Sequence, residues 1–207
     1  KTALIGAHSV QNCLAAIAAS AALGASPEQI VSGISSLKGA PGRFEKVSCG
    51  QDFLVVVDFA HTPDAIAKTL ETARQLVRGR IISVFGAGGD RDATKRGPMG
   101  QMAAKWSDVC VITSDNPRTE DPLKIIRQVE GGARSVGSAK VLVEPDRRAA
   151  IGLALSLAGP EDAVLILGKG HETYQIVGTS RRPFDDRTVA CELLEAMRPP
   201  IQTGRAQ

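Results

Sequence analysis

Aromatic residues are scarce in this 207-residue chain, which contains one Trp, one Tyr and five Phe. So few rings make an aromatic stacking platform for nucleobases a poor interpretation. The formal net charge is only +3, and the arginines are scattered among acidic residues without forming a basic arm. We therefore expect no nucleic acid among the partners of this protein.

Cysteines are also few and far apart, at positions 13, 49, 110 and 191. They form no CxxC pair, and three of them lie inside apolar patterns. This usage is typical of small buried thiols in a reducing compartment, and it argues against a metal site and against a disulfide framework. Long apolar runs and a secretory signal are missing as well, so we expect a cytoplasmic protein that contacts no membrane.

The chain has no initiating Met, which predicts a piece of a longer protein. What it does contain is 43% hydrophobic residues with 21 Gly and 11 Pro, a composition that suits a loop-rich α/β protein. The Ala-rich stretch 10–23 has the composition of a buried helix, and "SPE" at 26–28 predicts the start of a second helix. Glycines and a proline within 38–45 predict a linker.

Beyond the linker, apolar strand-like runs alternate with helical patterns. The predicted strands are 53–59, 80–86, 108–114, 139–144 and 162–170, and the predicted helices are 62–77, 98–106, 121–132, 146–159 and 185–197. Strands that are apolar throughout are buried on both faces, and strict alternation with helices requires parallel crossovers. The sequence therefore predicts an α/β fold with a Rossmann-like, doubly wound, mostly parallel sheet flanked by helices.

Polar segments directly follow four of the predicted strands. They are "DFAHTPD" (58–64), "GAGGDRD" (86–92), "SDNPR" (114–118) and "GKGHE" (168–172). In open parallel sheets, ligands bind beyond the carboxyl ends of the strands. We therefore expect the functional site at this edge.

The segment "DNPR" offers groups for both an ammonium and a carboxylate. Asp115 can accept a hydrogen bond from an ammonium, Asn116 can donate and accept, and Pro117 fixes the turn. Arg118 presents a fork that matches a carboxylate. The alternative is an Asx-type turn in which Asp115 caps the next segment.

Three further segments carry candidate residues. "FGAGGDRD" lacks both GxGxxG spacing and the lysine of GxxxxGK[ST], so its glycines indicate either an anion loop or simple turn geometry, and Arg91 at its tip is the stronger element. In "GKGHE", Gly168 allows a close backbone approach and Glu172 could accept an ammonium. In "DFAHTPD", Asp58 and His61 could hold a nucleotide or metal-bound phosphates, or they could form a helix-capping turn.

In their order along the chain, these motifs resemble one family. The segments "GRFE", "VVVDFAHTPDA", "FGAGGDRDATKR", "SDNPRTEDP", "LGKGHETYQ" and "FDDRTVA" resemble the Mur ligases, and among them the MurE type that adds meso-diaminopimelate in peptidoglycan synthesis. The resemblance implies a three-domain enzyme, of which residues 1–40 would be the end of the central ATP-binding domain and 41–207 the C-terminal, amino-acid-binding domain. The P-loop and the modified lysine of the family are absent from the chain.

The resemblance also implies an activity. It implies an ATP-dependent acid–amino-acid ligase that joins meso-2,6-diaminopimelate to UDP-N-acetylmuramoyl-L-alanyl-D-glutamate (UDP-MurNAc-dipeptide) through an acyl phosphate. ATP and Mg²⁺ would be held mainly by the central domain. We expect a monomer that is inactive without that domain. A plastid relative with no catalytic role, part of a transcription complex, is the alternative, whereas a Rossmann oxidoreductase is disfavoured because no GxGxxG follows the first strand.

Site residues follow from motif position. The resemblance implies that diaminopimelate is bound by Arg91, Asp115, Asn116, Arg118, Gly168 and Glu172, with Pro117 shaping the turn; that the catalytic residues are Asp58 and His61; and that Asn12 and Arg43 contact the nucleotide. The arginines would face carboxylates, and Asp115 and Glu172 the ammonium groups. The chain departs from the family pattern at Ser9 (usually Asn), at Phe59 (usually Tyr) and at positions 97–98 (usually Pro-Leu).

Overall fold

The computed structural model describes residues 2, 4, 6–37 and 39–197. Lys38 of the predicted linker and residues 198–207 of the predicted second domain lie outside this description. The helices are α1 (Ala7–Ala22), α2 (Pro27–Ser36), α3 (Pro63–Arg74), α4 (Arg96–Trp106), α5 (Pro122–Val136), α6 (Arg147–Leu157) and α7 (Asp186–Ala196). The strands are β1 (Glu45–Val47), β2 (Leu54–Asp58), β3 (Ile81–Phe85), β4 (Val109–Ile112), β5 (Lys140–Val143), β6 (Ala163–Leu167), β7 (Tyr174–Val177) and β8 (Ser180–Pro183).

The six-stranded sheet has the order β1-β2-β6-β3-β4-β5. Strands β2 to β6 are parallel to one another, and the edge strand β1 pairs with β2 in the antiparallel sense. The predicted α/β class with a mostly parallel sheet is confirmed. The sequence interpretation missed β1, which is only three residues long, and the separate β7–β8 hairpin.

Helices cover both faces of the sheet and bury two apolar layers. The layer under α3, α4 and α5 includes Ile66, Leu70, Met99, Ile125 and Val129, and the layer under α6 and α7 includes Ile151, Leu155, Val189 and Leu194. Strands β3, β4 and β6 are buried at every position, as their continuous apolar sequences predict. This double cover leaves the carboxyl ends of the parallel strands as the place where polar groups gather.

The first two helices differ from the rest. Ser26 and Gln29 form the capping box that starts α2, with Oγ and Oε1 each accepting a backbone N–H, at 3.3 and 2.8 Å. No described residue of α2 is buried, and Val10 and Leu14 on α1 are each 60% exposed. The Ala-rich stretch 10–23, whose composition predicts a buried helix, is thus left largely uncovered by the described part of this chain. None of the described helices is long and apolar enough to cross a membrane.

One expectation about the cysteines is wrong. Cys49 and Cys191 form a disulfide, with Cα atoms 5.6 Å apart, although they are 142 positions apart in sequence. The pairing was hidden because it depends on β1, the missed edge strand, which brings the loop after it beside α7. Cys13 and Cys110 are free thiols, and Cys110 is buried as expected.

Candidate functional site

A cavity of about 290 Å³ lies at the carboxyl ends of β2, β3, β4 and β6. Its lining includes Phe59, His61, Arg91, Lys95, Asp115, Asn116, Arg118, Gly168 and Glu172. Four segments that are distant in sequence therefore meet here, because parallel strands end at the same edge of the sheet. The cavity brings together Arg91, Asp115, Asn116, Arg118, Gly168 and Glu172, the residues implied to bind an amino acid.

Asp115 and Gly168 form the floor of the cavity. Asp115 is buried, and its Oδ1 accepts a hydrogen bond from the Asn116 backbone N–H at 2.7 Å. Gly168 has φ +111°, and a Cβ atom there would lie 2.6 Å from Asp115 Oδ2. A glycine is required at this position because the carboxylate occupies the space of a side chain.

The electrostatic environment of Asp115 is unusual. Burial raises the pKa of its carboxyl group above the ordinary value, and the nearby Glu172 adds to the rise. The cations Arg147 and Lys169 oppose the shift without cancelling it. A nearby cation stabilises the charged form of a buried carboxyl group whose pKa is raised. An ammonium ligand would supply such a cation.

Asn116, Glu172 and Lys169 form a hydrogen-bonded network beside this floor. Asn116 Nδ2 donates to Glu172 Oε2 at 2.8 Å, and its Oδ1 accepts from the backbone N–H of Ile176 at 2.9 Å. Lys169 is fully buried, and its Nζ donates to Glu172 Oε2 at 3.2 Å and to the carbonyl of Tyr174. The network fixes the orientation of Asn116 and Glu172 before any ligand arrives. The sequence interpretation did not single out Lys169, although it lies within "GKGHE".

The β7–β8 hairpin holds Arg118 in place. Arg118 has φ +52°, a left-handed conformation that costs a bulky residue about 1–3 kcal/mol. Its backbone N–H donates to Ile176 O at 3.1 Å, and its carbonyl accepts from Gly178 N at 2.7 Å. These bonds compensate the strain and aim the side chain at the cavity, where Nη1 also donates to Gly89 O at 2.7 Å.

The glycine-rich loop is fastened to the "DNPR" loop. Gly89 N donates to Asn116 O at 2.9 Å, and Asp90 N donates to Glu120 Oε1 at 2.6 Å. The buried guanidinium of Arg96 makes a bidentate pair with Glu120, at 2.8 and 2.9 Å, and hydrogen bonding by Arg96 lowers the Glu120 pKa to about 2. These contacts join the glycine-rich loop firmly to the "DNPR" loop. Arg96 is a supporting residue that the sequence interpretation missed.

Cations line the outer part of the cavity. Arg91 is exposed, and its Nη1 donates to the carbonyl of Asp90 at 3.0 Å and to no other described residue. The side chain of Lys95, which precedes α4, has no hydrogen bond or ion pair within the described part of the chain. Both side chains remain available to an anionic group, and Lys95, like Lys169 and Arg96, was not identified by sequence reasoning.

The structure separates Asp58 from His61. Both oxygens of the buried Asp58 accept hydrogen bonds, Oδ2 from Phe44 N at 2.6 Å and Oδ1 from Ala60 N at 2.8 Å. The bond from Ala60 N is typical of a structural turn, and the bond from Phe44 N ties this turn to the start of the predicted second domain. His61 faces the 290 Å³ cavity, and its Nδ1 lies 2.8 Å from Phe59 O.

The residues implied to contact a nucleotide lie in a different place. Asn12, Arg43 and Asp58 line a neighbouring groove of about 670 Å³ that α1 and α3 also line. The Arg43 guanidinium lies 5.1 Å from the centroid of the Phe59 ring, and that ring is 4.5 Å from the ring of His61. Phe59 therefore stands between the two cavities, and its stacking partners do not require the hydroxyl that a Tyr would carry.

A fully buried ion pair lies directly behind the site. The Arg147 guanidinium on α6 pairs with Asp186 on α7 through two hydrogen bonds, at 2.8 and 2.7 Å. It also donates to Leu167 O at 3.0 Å and to Ser114 O at 3.4 Å. The sequence interpretation quoted "FDDRTVA", which contains Asp186, without giving it a role.

Comparisons with known proteins agree with this geometry. The profile of the family "Mur ligase, glutamate ligase domain" matches residues 42–170. Proteins named UDP-N-acetylmuramoyl-L-alanyl-D-glutamate–2,6-diaminopimelate ligase, from Syntrophomonas wolfei and Solibacter usitatus, are each 52% identical, over 92% and 93% of this chain. The chain spans about 39% of the length of these relatives.

Solved structures show the same likeness. A structure with that same enzyme name has a TM-score of 0.75 and 38% identity, covering 95% of this chain and 40% of its own. The UDP-N-acetylmuramate–alanine ligase of Thermotoga maritima has a TM-score of 0.64 at 19% identity, covering 93% of this chain and 38% of its own, which supports the fold alone. Because both the family profile and relatives at about half identity cover most of it, this chain belongs to the Mur ligase family and carries the C-terminal domain of that family.

Proposed function

We propose that this chain is the amino-acid-binding part of an ATP-dependent ligase that adds meso-2,6-diaminopimelate to UDP-N-acetylmuramoyl-L-alanyl-D-glutamate in the cytoplasm, for peptidoglycan synthesis. The observation that carries the proposal is the charge pattern of the 290 Å³ cavity. It places the buried Asp115 and the partly buried Glu172 in one cavity with the cations Arg91, Lys95 and Arg118. That pattern matches a small molecule with both ammonium and carboxylate groups, and the names of the relatives support diaminopimelate as that molecule.

The cavity can hold one end of diaminopimelate and leave the other end to react. Asp115 and Glu172 accept hydrogen bonds from the ammonium of the bound end, and Arg118 forms a bidentate pair with its carboxylate. Holding an amine close to an activated carboxyl group converts a bimolecular attack into an effectively unimolecular one. The residues of this chain would thus contribute mainly by orienting the attacking amine.

The groove next to the cavity fits the nucleotide side of the same reaction. Asn12 offers an amide and Arg43 a guanidinium, groups that suit ribose hydroxyls and phosphates. We place ATP in this groove. Asp58 would brace the turn after β2 on the groove side, and His61 would face the amino-acid cavity beside it. Mg²⁺, when bound, neutralises charge on transferring phosphates. Within the described residues no group of three or more His, Cys, Asp or Glu side chains is placed to hold a metal, so its ligands would come from the rest of the enzyme.

The exposed helices support the domain assignment that we propose. Helices α1 and α2 leave apolar side chains uncovered, including Leu14 and Val31 at 60% and 64% exposure. Apolar surface of this kind marks a contact region. We assign residues 1–40 to the end of a central ATP-binding domain whose other parts would cover this surface, and residues 41–207 to the amino-acid-binding domain.

Selectivity for diaminopimelate over L-lysine tests the proposal. L-Lysine lacks the distal carboxylate that Arg118 would bind, so the wild-type chain should bind diaminopimelate more tightly in calorimetric titrations. Replacing Arg118 with Ala should remove about 2 kcal/mol of binding free energy, roughly a 30-fold loss, for diaminopimelate only.

The matched control is Arg148→Ala. Arg148 is half-exposed, forms a surface ion pair with Glu192, and does not line the cavity. It should leave both affinities within twofold of wild type. No binding of diaminopimelate by the wild-type chain, or an equal loss for both ligands in Arg118→Ala, would contradict the proposed function.

A further inference from the structure

The Arg147 guanidinium contacts both strand ends that carry the acids of the cavity. It donates to Leu167 O, the residue before Gly168, and to Ser114 O, the residue before Asp115. These carbonyls close β6 and follow β4, two strands that are not hydrogen-bonded to each other because β3 lies between them. A single side chain from α6 therefore ties together two loops that the sheet itself does not join.

Asp186 makes this arrangement possible. It is fully buried on α7 and takes two hydrogen bonds from the same guanidinium, which fixes the orientation of Arg147 and keeps it charged. A buried pair of this kind is weak support for stability, since an apolar replacement of both partners is often neutral or stabilising. Such a pair is better explained by what it positions.

We propose that Arg147, held by Asp186, is a positioning residue for the diaminopimelate site: it sets the spacing of the Asp115 and Gly168 loops and supplies positive charge behind the Asp115 carboxylate. This inference rests on the proposed function, because it concerns the same cavity. It assigns a role to the "FDDRTVA" segment, which faces the sheet and not the ligand.

The electrostatic part of the proposal is visible at Asp115. Arg147 is the strongest of the influences that lower the pKa of this buried carboxyl group. The other charged or titratable groups that face it are Lys169 and Glu172 from the loop after β6, with His61, Arg91, Lys95 and Arg118 around the same cavity. Removing the guanidinium should raise the Asp115 pKa further, so that binding of an ammonium ligand weakens as the pH falls.

Four variants of the 207-residue chain test the proposal, each titrated with meso-diaminopimelate at pH 8 and pH 6. Arg147→Met should weaken binding at least tenfold at pH 8 and more at pH 6. Arg147→Lys keeps the charge but loses the fork, and should weaken binding by a similar factor at both pH values. The double variant Arg147→Met with Asp186→Leu should retain or regain thermal stability while binding as weakly as Arg147→Met.

Leu155→Ala is the control for an effect of stability alone. Leu155 lies on the same helix, is fully buried in the layer under α6, and does not line the cavity. Its replacement should lower the melting temperature and leave the affinity within twofold at both pH values. The inference is overturned if either Arg147 variant or the double variant, shown to be folded, binds diaminopimelate within twofold of wild type. If the wild-type chain binds no diaminopimelate, the proposed function fails first and this inference falls with it.

Discussion

The two sides of the cavity are built differently. The acid wall, formed by Asp115, Asn116 and Glu172, is largely buried and hydrogen-bonded from within, and Lys169 and Arg147 lie behind it. The basic rim, formed by Arg91, Lys95 and Arg118, is more exposed and has few partners within the described residues. Burying a carboxylate costs desolvation free energy, whereas an exposed guanidinium keeps its hydration. The wall is therefore preorganised at the expense of stability, while the side chains of Arg91 and Lys95 in the rim remain free to adapt to a ligand.

This difference predicts that Asp115→Asn causes the largest loss of diaminopimelate affinity of any variant, while the stability of the folded chain increases. The amide can still accept from the Asn116 N–H, but it removes the charge that an ammonium would meet. We expect the affinity for diaminopimelate to fall by about 100-fold, the value of a charged hydrogen bond near 3 kcal/mol.

The stability of the same variant should rise at pH 7. Because burial raises the Asp115 pKa above its unfolded value, the folded chain prefers the neutral form, which Asn imitates. Thermal unfolding at pH 7 checks this, with Asp121→Asn, at an exposed helix cap, as the control whose melting temperature should change little because Asn caps a helix about as well as Asp. A melting temperature for Asp115→Asn below that of wild type would contradict the claim that the buried acid wall lowers stability.

A pH titration of the wild-type chain sharpens the same contrast. Asp115 contributes most to the free energy of unfolding below the ordinary Asp pKa of about 4, and this contribution declines as the pH rises toward the raised native pKa. Ligand binding should change in the other direction, weakening as the pH falls through the raised pKa. Calorimetry and thermal unfolding over pH 4 to 8 measure both trends, and parallel trends would argue against a charged Asp115 as the binding group.

Gly168→Ala should have the next largest effect. The new Cβ would lie 2.6 Å from Asp115 Oδ2, and the backbone would have to keep φ +111°. We expect a loss of about 1–3 kcal/mol in stability and a roughly tenfold to 30-fold loss in affinity, because the carboxylate must move.

Gly33→Ala is a suitable control for this change. Gly33 lies within α2, and a Cβ there has no neighbour within 4 Å. The substitution should stabilise the helix by about 1 kcal/mol without altering affinity. Equal behaviour of the two variants would show that the floor of the cavity is less crowded than the distances indicate.

The sequence was sufficient for much of the fold and for most of the charged residues that line the cavity, but not for the residues behind them. Five apolar runs predicted five parallel strands, and polar segments after four of them predicted where the cavity lies. Arg96 and Arg147 were missed because their partners lie 24 and 39 positions away and depend on the topology. A local signal did exist: each is the first residue of a helix, where a cation is unfavourable, so each needs a tertiary reason to be there.

The Cys49–Cys191 disulfide and the hairpin were missed for a related reason. The disulfide depends on a three-residue edge strand. The hairpin sequence "YQIVGTSRRP" carries two arginines and a proline in its second strand, which weakens the alternation that predicts strands. Both features arise where local pattern is weak and long-range packing decides the structure.

The smallest predicted effect belongs to Arg91, the most exposed residue of the basic rim. Arg91→Ala removes an exposed guanidinium whose one hydrogen bond in the described residues is to a neighbouring carbonyl. An exposed ion pair contributes up to about 1 kcal/mol, so we expect the affinity for diaminopimelate to fall by about fivefold at low salt. Because such a pair is screened, the difference from wild type should shrink at 0.5 M salt, whereas the loss in Asp115→Asn should persist. Calorimetric titrations of both variants at two salt concentrations separate the rim from the wall; a salt-independent, hundredfold loss in Arg91→Ala would mean that the rim is as preorganised as the wall.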